Sequence, residues 1–213
     1  RTKILVMRSP LIKPLVSEDM NIDLCKLFTD QEISDTLFQI GPLKAPGPDG
    51  FPARFFQRNW GVLKEDIIRA VKKFFDTGIM PEGVNDTVIV LISKVKNPQS
   101  IKDFRPISLC NVIYKIISKC LVNRLRPHLD GMISPTQSAF IPGRLISDNA
   151  LIAFECMHSL SCLKDERGEL CAYKLDLAKA YDRVDWHFLK WMMGALGFDV
   201  VWIKWIMACV CAL

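Results

Sequence analysis

The sequence predicts an α+β domain, and three observations carry that prediction. Several stretches repeat apolar residues at helical spacing, and two β-branched, apolar runs flank a polar, basic loop. The order of elements also lacks the regular βαβ alternation of a parallel sheet. With 213 residues, half of them hydrophobic, the chain is long enough to bury a sizeable core, which excludes a disordered protein.

The elements follow in order. Thr29 stands three residues before Glu32, the spacing of a capping box, and Ile33, Leu37 and Ile40 share one helical face, so a helix is expected over 30–39. The stretch GPLKAPGPDGFP at 41–52 holds four prolines and three glycines, which no helix or central strand tolerates; it is either an ordered turn cluster or a flexible linker. In WGVLKEDIIRAVKKFFDTGIMP, residues Leu63, Ile67, Val71 and Phe74 line one face, with Gly78 as a stop and Pro81 beyond it. DTVIVLISKV and FRPISLC form an expected antiparallel pair around a basic loop.

NVIYKIISKCLVNRLRPHL gives a helix with Ile113, Ile116, Ile117, Cys120 and Leu121 on a broad apolar face and Lys115, Lys119 and Arg126 on the opposite one. After the turn-rich SPTQSAFIPGRLISDN, the segment ALIAFECMHSL reads as another helix, KDERGE as a charged turn and LCAYKLDL as a buried strand. Asp185 and Asp199 have the positions of N-caps for two closing helices. Trp186, Phe188, Trp191, Trp202 and Trp205 invite a base-stacking role, but the helical spacing of Leu189, Met192, Met193 and Leu196 favours packing.

Net charge is +5, and its distribution is uneven. From Lys94 to Arg126 there are eight basic residues against one acid, Asp103, a local charge of +7. Such a run is either a solvated face or a phosphate-binding surface, and a second feature has to decide between them. The eight cysteines never take a Cys-x-x-Cys spacing and read as reduced core thiols, which implies an intracellular location, cytoplasmic or nuclear. No secretory signal is apparent, and the apolar run 205–213 is too short to span a bilayer. The chain opens on RTKILVMRSP, without an initiator Met, and stops inside WIKWIMACVCAL, so a piece of a longer protein is expected.

Chemistry concentrates near Asp176, at the end of the run Ala172–Leu175. A carboxylate at the end of a buried strand needs compensation. It is either a turn or cap residue or a ligand for a hard divalent cation such as magnesium. The motif DLAKAYDRV, which contains it, resembles the first catalytic motif of reverse transcriptases, in the form used by plant non-LTR (LINE-type) retrotransposons. Other segments resemble the family in its own order: LKAPGPDGF before the fingers, VLISKVKNPQSIKDFRPISL as the fingers hairpin and ISPTQSAFIPGRLISDNAL before the palm strand. The resemblance runs from about Phe28 onward.

That resemblance implies a right-hand polymerase fold and RNA-directed DNA synthesis from deoxynucleoside triphosphates on an RNA template and DNA primer. It implies a lead-in at 1–40, fingers at 41–169 and the start of the palm at 170–213. It makes Asp176 the catalytic ligand of two magnesium ions (Mg2+), with the Leu177 carbonyl facing the metal, and Tyr181 an aromatic gate against a ribose 2′-hydroxyl. Lys94 and Arg105, from the two hairpin strands, would hold the triphosphate. Lys115, Lys119 and Arg126 suit a template backbone. Arg144 resembles a template-side residue that Gln137 helps to position, against the alternative that both are surface loop residues. Asp182 and Asp185 are expected to be structural.

The family carries two further metal carboxylates in an Asp-Asp hairpin, and these 213 residues contain no Asp-Asp pair. A polymerase fragment without its remaining palm and thumb is therefore expected, inactive alone and with apolar surface open around Trp202, Trp205 and Ile206. The competing reading is a non-catalytic nucleic-acid-binding remnant of a decayed element. A magnesium nuclease using Asp176 and Asp182 is weaker, since no motif places a further acid or a His base beside them.

Overall fold

The computed structural model describes residues 12–162, 172, 173, 175 and 183–211. Within them the chain runs α1 (Glu18–Cys25), α2 (Asp30–Phe38), α3 (Ala53–Arg58), α4 (Trp60–Thr77), β1 (Thr87–Ser93), β2 (Phe104–Cys110), α5 (Val112–Leu125), α6 (Leu129–Met132), α7 (Ile146–Cys162), α8 (Trp186–Leu196) and α9 (Val200–Val210). The result is mixed helix and strand, dominated by helices. Among the described residues the only sheet is the antiparallel β1–β2 hairpin.

Local sequence accounts for several helix ends. The capping box at α2 is present in full: the Glu32 N–H donates to Thr29 Oγ1 and the Thr29 N–H donates to Glu32 Oε2 at 2.8 Å. Asp185 accepts the Phe188 N–H and Asp199 the Val201 N–H, so both act as N-caps of α8 and α9. Gly78 ends α4 at φ +65, a left-handed conformation that glycine adopts without a Cβ penalty. Two short elements, α1 and α3, are not legible in the sequence as separate helices. Neither offers enough turns to set up a periodic apolar pattern.

The core is helical. Leu24 of α1, Ile33 and Leu37 of α2, Val71 and Phe74 of α4, Ile116 and Ile117 of α5 and Trp202 of α9 form one buried cluster. Residues from the two ends of the chain therefore pack together with its middle. Hydrogen bonds add to this closure: Leu15 and Val16 donate their N–H groups to the Leu196 carbonyl, and Asn21 bridges the Gly197 carbonyl and the Asp199 N–H at 2.8 Å each.

This packing corrects three expectations. Trp202 and Trp205 do not lie open: Trp202 is 0% exposed, Trp205 is buried with its indole N–H donating to the Phe75 carbonyl at 2.9 Å, and Ile206 is half-buried. The reason is that α9 packs on α1 and meets α4 through Trp205, which fills the space beside Phe28 and Phe75. The exposed apolar surface lies elsewhere, on Val88, Val90, Ile92 and Ile107 of one hairpin face, Ile89 and Leu91 of the other, and Leu151, Ile152 and Phe154 of α7, a helix that buries no residue. Second, of the expected buried strand at 170–177 only Ala172, Tyr173 and Leu175 are described, and these three are exposed and outside any strand. Third, Cys156, Cys162 and Cys211 are exposed rather than core thiols, although all seven described cysteines are free. Burial pushes the thiols of Cys120 and Cys209 up to about 11 and about 12.

The proline- and glycine-rich stretch at 41–52 is an ordered turn cluster seated on the start of α5. Asn111, a buried residue, accepts the Asp49 N–H at 3.2 Å and donates to the Gly83 carbonyl at 2.9 Å, tying the turns before α3 to the approach to β1. Gly47 passes so close that a Cβ there would lie 2.5 Å from the Cys110 carbonyl carbon and would collide with Asn111. Gly47→Ala is accordingly expected to cost about 1–3 kcal/mol in urea unfolding, as overpacking against backbone does. An unchanged midpoint would mean that this segment is not held on α5.

Candidate nucleotide and nucleic-acid interface

The hairpin owes its geometry to β-branched strands and to a loop that folds on itself. Its register pairs Ile92 with Arg105 and Ser93 with Phe104, and the Lys94 N–H continues the ladder to the Asp103 carbonyl at 2.6 Å. Asp103 braces the loop by accepting the Gln99 and Ser100 N–H groups at 2.8 and 2.9 Å. Those two backbone donors hold its carboxyl below the usual carboxylate range. Lys94 stands one residue past the end of β1 rather than within it, and its ammonium donates to the Lys102 carbonyl at 2.8 Å. The pleat places Lys94 and Arg105 on one face of the hairpin, since Lys94 follows Ile92 by two residues and Ile92 opposes Arg105.

The basic stripe of α5 divides. Lys115 is half-buried, and its ammonium donates to the Ala45 carbonyl at 2.8 Å, so it anchors the turn cluster at 41–52. Lys119 is half-buried as well, whereas Arg126 is exposed in the 3-10 turn Arg126–His128 that follows α5. Lys115 and Lys119 share a helix face one turn apart.

Arg144 and Gln137 are brought together in the loop between α6 and α7. All five guanidinium N–H donors of Arg144 have acceptors there: Nε and Nη2 reach Asp130 Oδ1 at 3.2 and 2.7 Å, Nη2 also reaches the Ile133 carbonyl, and Nη1 reaches the carbonyls of Ser134 and Gln137. Gln137 contacts Arg144 through its backbone carbonyl, and its side chain is exposed. The arginine thus organises the loop that holds it.

Arg124 stands apart from the other cations of the basic run. It is buried, 5% exposed at its side chain, with Nε and Nη2 each 3.1 Å from the Glu32 carboxylate. It also donates to the carbonyls of Leu24, Lys26 and Leu27 at the end of α1, and its guanidinium carbon lies 3.3 Å from the Phe28 ring centroid. Burial works to raise the Glu32 carboxyl, but the hydrogen bonds from Arg124 and Thr29 outweigh it and hold the group below its ordinary range. A signal was available: position 124 continues the apolar stripe of Ile117, Cys120 and Leu121, where a cation must find partners.

Asp176, Leu177, Tyr181 and Asp182 lie outside the described residues. Among the described residues no group of three or more His, Cys, Asp or Glu side chains could hold a metal ion. No helix among them is long and apolar enough to cross a membrane.

Residues 92–212 match the family model described as reverse transcriptase (RNA-dependent DNA polymerase), a span that takes in the end of the hairpin, the α5 stripe, the Arg144 loop and the Asp176 motif. The chain belongs to the reverse transcriptase family. Its relatives include the "Transposon TX1 uncharacterized 149 kDa protein" of Xenopus laevis, 33% identical over 193 residues, which are 91% of this chain and 14% of the relative. The Pol polyprotein from the type-1 retrotransposable element R1 of Bradysia coprophila is 26% identical over 162 residues, 73% of this chain and 15% of the relative. A third, the Pol polyprotein from the type-2 element R2DM of Drosophila melanogaster, is 27% identical over 143 residues, 65% and 12% respectively. The resemblance to the reverse transcriptase domain of non-LTR retrotransposons is thereby borne out, the relatives being animal elements. The reverse transcriptase chain spans about one seventh of the length of these relatives.

Proposed function

We propose that this reverse transcriptase chain contributes the fingers and the start of the palm to a polymerase of right-hand fold that copies an RNA template onto a DNA primer. The observation that carries the proposal is the family match over 92–212, which joins the basic hairpin end to the Asp176 motif in one domain. In this reading 41–169 is fingers, 170–213 begins the palm, and Lys94 and Arg105, on one hairpin face, hold the triphosphate of an incoming deoxynucleotide. Tyr181 gates its sugar. The plant assignment rests on the form of DLAKAYDRV alone.

The divalent metal of this reading is magnesium. Asp176 and the Leu177 carbonyl are hard oxygen donors of the kind it takes, too few to enclose two ions by themselves. Bound there, the metal would draw charge from the transferring phosphoryl group. The rest falls to this chain's cations, which neutralise the triphosphate and the template backbone.

Template binding tests this part directly. Because Lys115 is engaged by Ala45, the charge reversals Lys119→Glu and Arg126→Glu are the informative pair. Together they are expected to weaken primer–template binding and to lower the log–log salt slope by about 2, one unit for each phosphate no longer neutralised. A slope equal to that of the unmodified chain would make these two residues ordinary solvated cations.

A further inference from the structure

We propose that Phe140 is an aromatic platform on which an unpaired base of a nucleic-acid strand stacks. The proposal rests on the reverse transcriptase reading for the nature of the partner, while the platform itself rests on geometry. Phe140 is 99% exposed, and it is the non-glycine residue with positive φ among the described residues, at +66. A bulky side chain in the left-handed region is strained, and such strain persists only where surrounding structure imposes it. Both the strain and the exposure of the ring would be relieved by a small rearrangement of the loop.

The loop prevents that rearrangement. Arg144, four residues after Phe140, closes the loop onto residues that precede the ring, through Asp130 and the carbonyls of Ile133, Ser134 and Gln137. Ser138, two residues before Phe140, is buried and accepts a hydrogen bond from the Asn149 amide of α7 at 3.0 Å. Ile141, immediately after it, is buried. Phe140 is thus held outward between two anchored neighbours, on a support that is rigid for reasons independent of the ring.

Charge selects the partner. The basic segment, in which Arg124 is paired with Glu32 and Lys115 is held by Ala45, ends at exposed Arg126, and α6, which begins three residues later, carries the Asp130 that anchors Arg144. A cation and a projecting aromatic ring therefore come from one locally braced unit. Single-stranded nucleic acid is bound by that combination, phosphates on cations and bases on ring faces, without dependence on sequence because every base has a π-face.

The test uses the 213-residue chain and a single-stranded RNA carrying 2-aminopurine, read by anisotropy and by quenching of the base. Phe140→Ala is expected to weaken binding about 5-fold or more, the lower end of what base–aromatic stacking contributes. It should abolish the quench and leave the salt slope unchanged, while Phe140→Trp retains both affinity and quench. The ring is fully exposed, so its removal should leave the fold intact, and circular dichroism of Phe140→Ala and Phe140→Gly checks this. Unchanged affinity and quench in Phe140→Ala, beside normal salt-dependent binding by the unmodified chain, would overturn the platform and leave the polymerase reading standing. Loss of self-association in that variant with RNA binding intact would overturn it too, assigning the ring to a protein contact instead. Absence of salt-dependent binding by the unmodified chain would overturn both.

Discussion

Asp176→Asn is expected to abolish magnesium-dependent primer extension by a longer polypeptide that carries both this chain and a downstream Asp-Asp hairpin. Asparagine keeps the size of the side chain but removes the charge that binds a hard cation. Phosphoryl transfer depends on metals to neutralise charge developing at the reacting oxygens, so losing the ligand that the proposed reading assigns to both ions should cost about 1,000-fold or more, in line with removal of a major electrostatic contributor. The 213 residues alone, which contain no Asp-Asp pair, should extend no primer. Raising magnesium should not rescue the 213 residues alone, because they supply one carboxylate of the set that the proposed reading requires. Robust extension by residues 1–213, lost in Asp176→Asn, would show that one carboxylate motif suffices and that the assignment of the metal ligands is wrong.

Arg124→Ala is expected to destabilise the fold by about 2–4 kcal/mol, short of the full effect of breaking a buried ion pair because Glu32 is half-buried. Three carbonyls at the end of α1 and the Glu32 carboxylate would lose their donor, and the ring of Phe28, which stacks on Phe75 at 3.9 Å, would lose its cation. Arg124→Lys should recover only part of this, since an ammonium cannot reproduce the two parallel bonds to Glu32. Urea unfolding reads the difference, and a loss under about 1 kcal/mol would show that the junction of α1, α2 and α5 is held by apolar contact alone.

The same pair sets a pH dependence. The Glu32 carboxyl is depressed in the folded chain, so its contribution to stability is fully present above the ordinary carboxylate value and is lost as pH falls through the folded one. Asp23 is lowered too, by hydrogen bonds first from Lys26 and then from His128, and acts in the same direction with the weaker weight of an exposed group.

The features legible in the sequence are those set by neighbours along the chain. The α2 capping box, the N-caps at Asp185 and Asp199 and the Gly78 stop depend on contacts within a few residues, so they survive any tertiary arrangement. The hairpin is likewise readable, because two β-branched runs separated by a short polar loop have each other as the nearest pairing partner. The family is legible in the order of its motifs, although Asp176 and Tyr181 remain sequence assignments.

What only the tertiary structure decided is which of several chemically similar residues meets a distant partner. Arg124, Lys115 and Lys119 all stand on one helix, yet Arg124 is buried on Glu32, 92 residues away, and Lys115 reaches Ala45, 70 residues away. Trp202 and Trp205 form part of the core because α9 returns to α1 and α4, a closure across most of the chain that no local pattern encodes. Phe140 shows the reverse case: its side chain alone suggests burial, and it stands exposed in the loop that Arg144 closes. Local hydrogen bonds and periodicity fix elements, whereas burial and charge pairing are fixed by contacts whose separation in sequence carries no pattern to read.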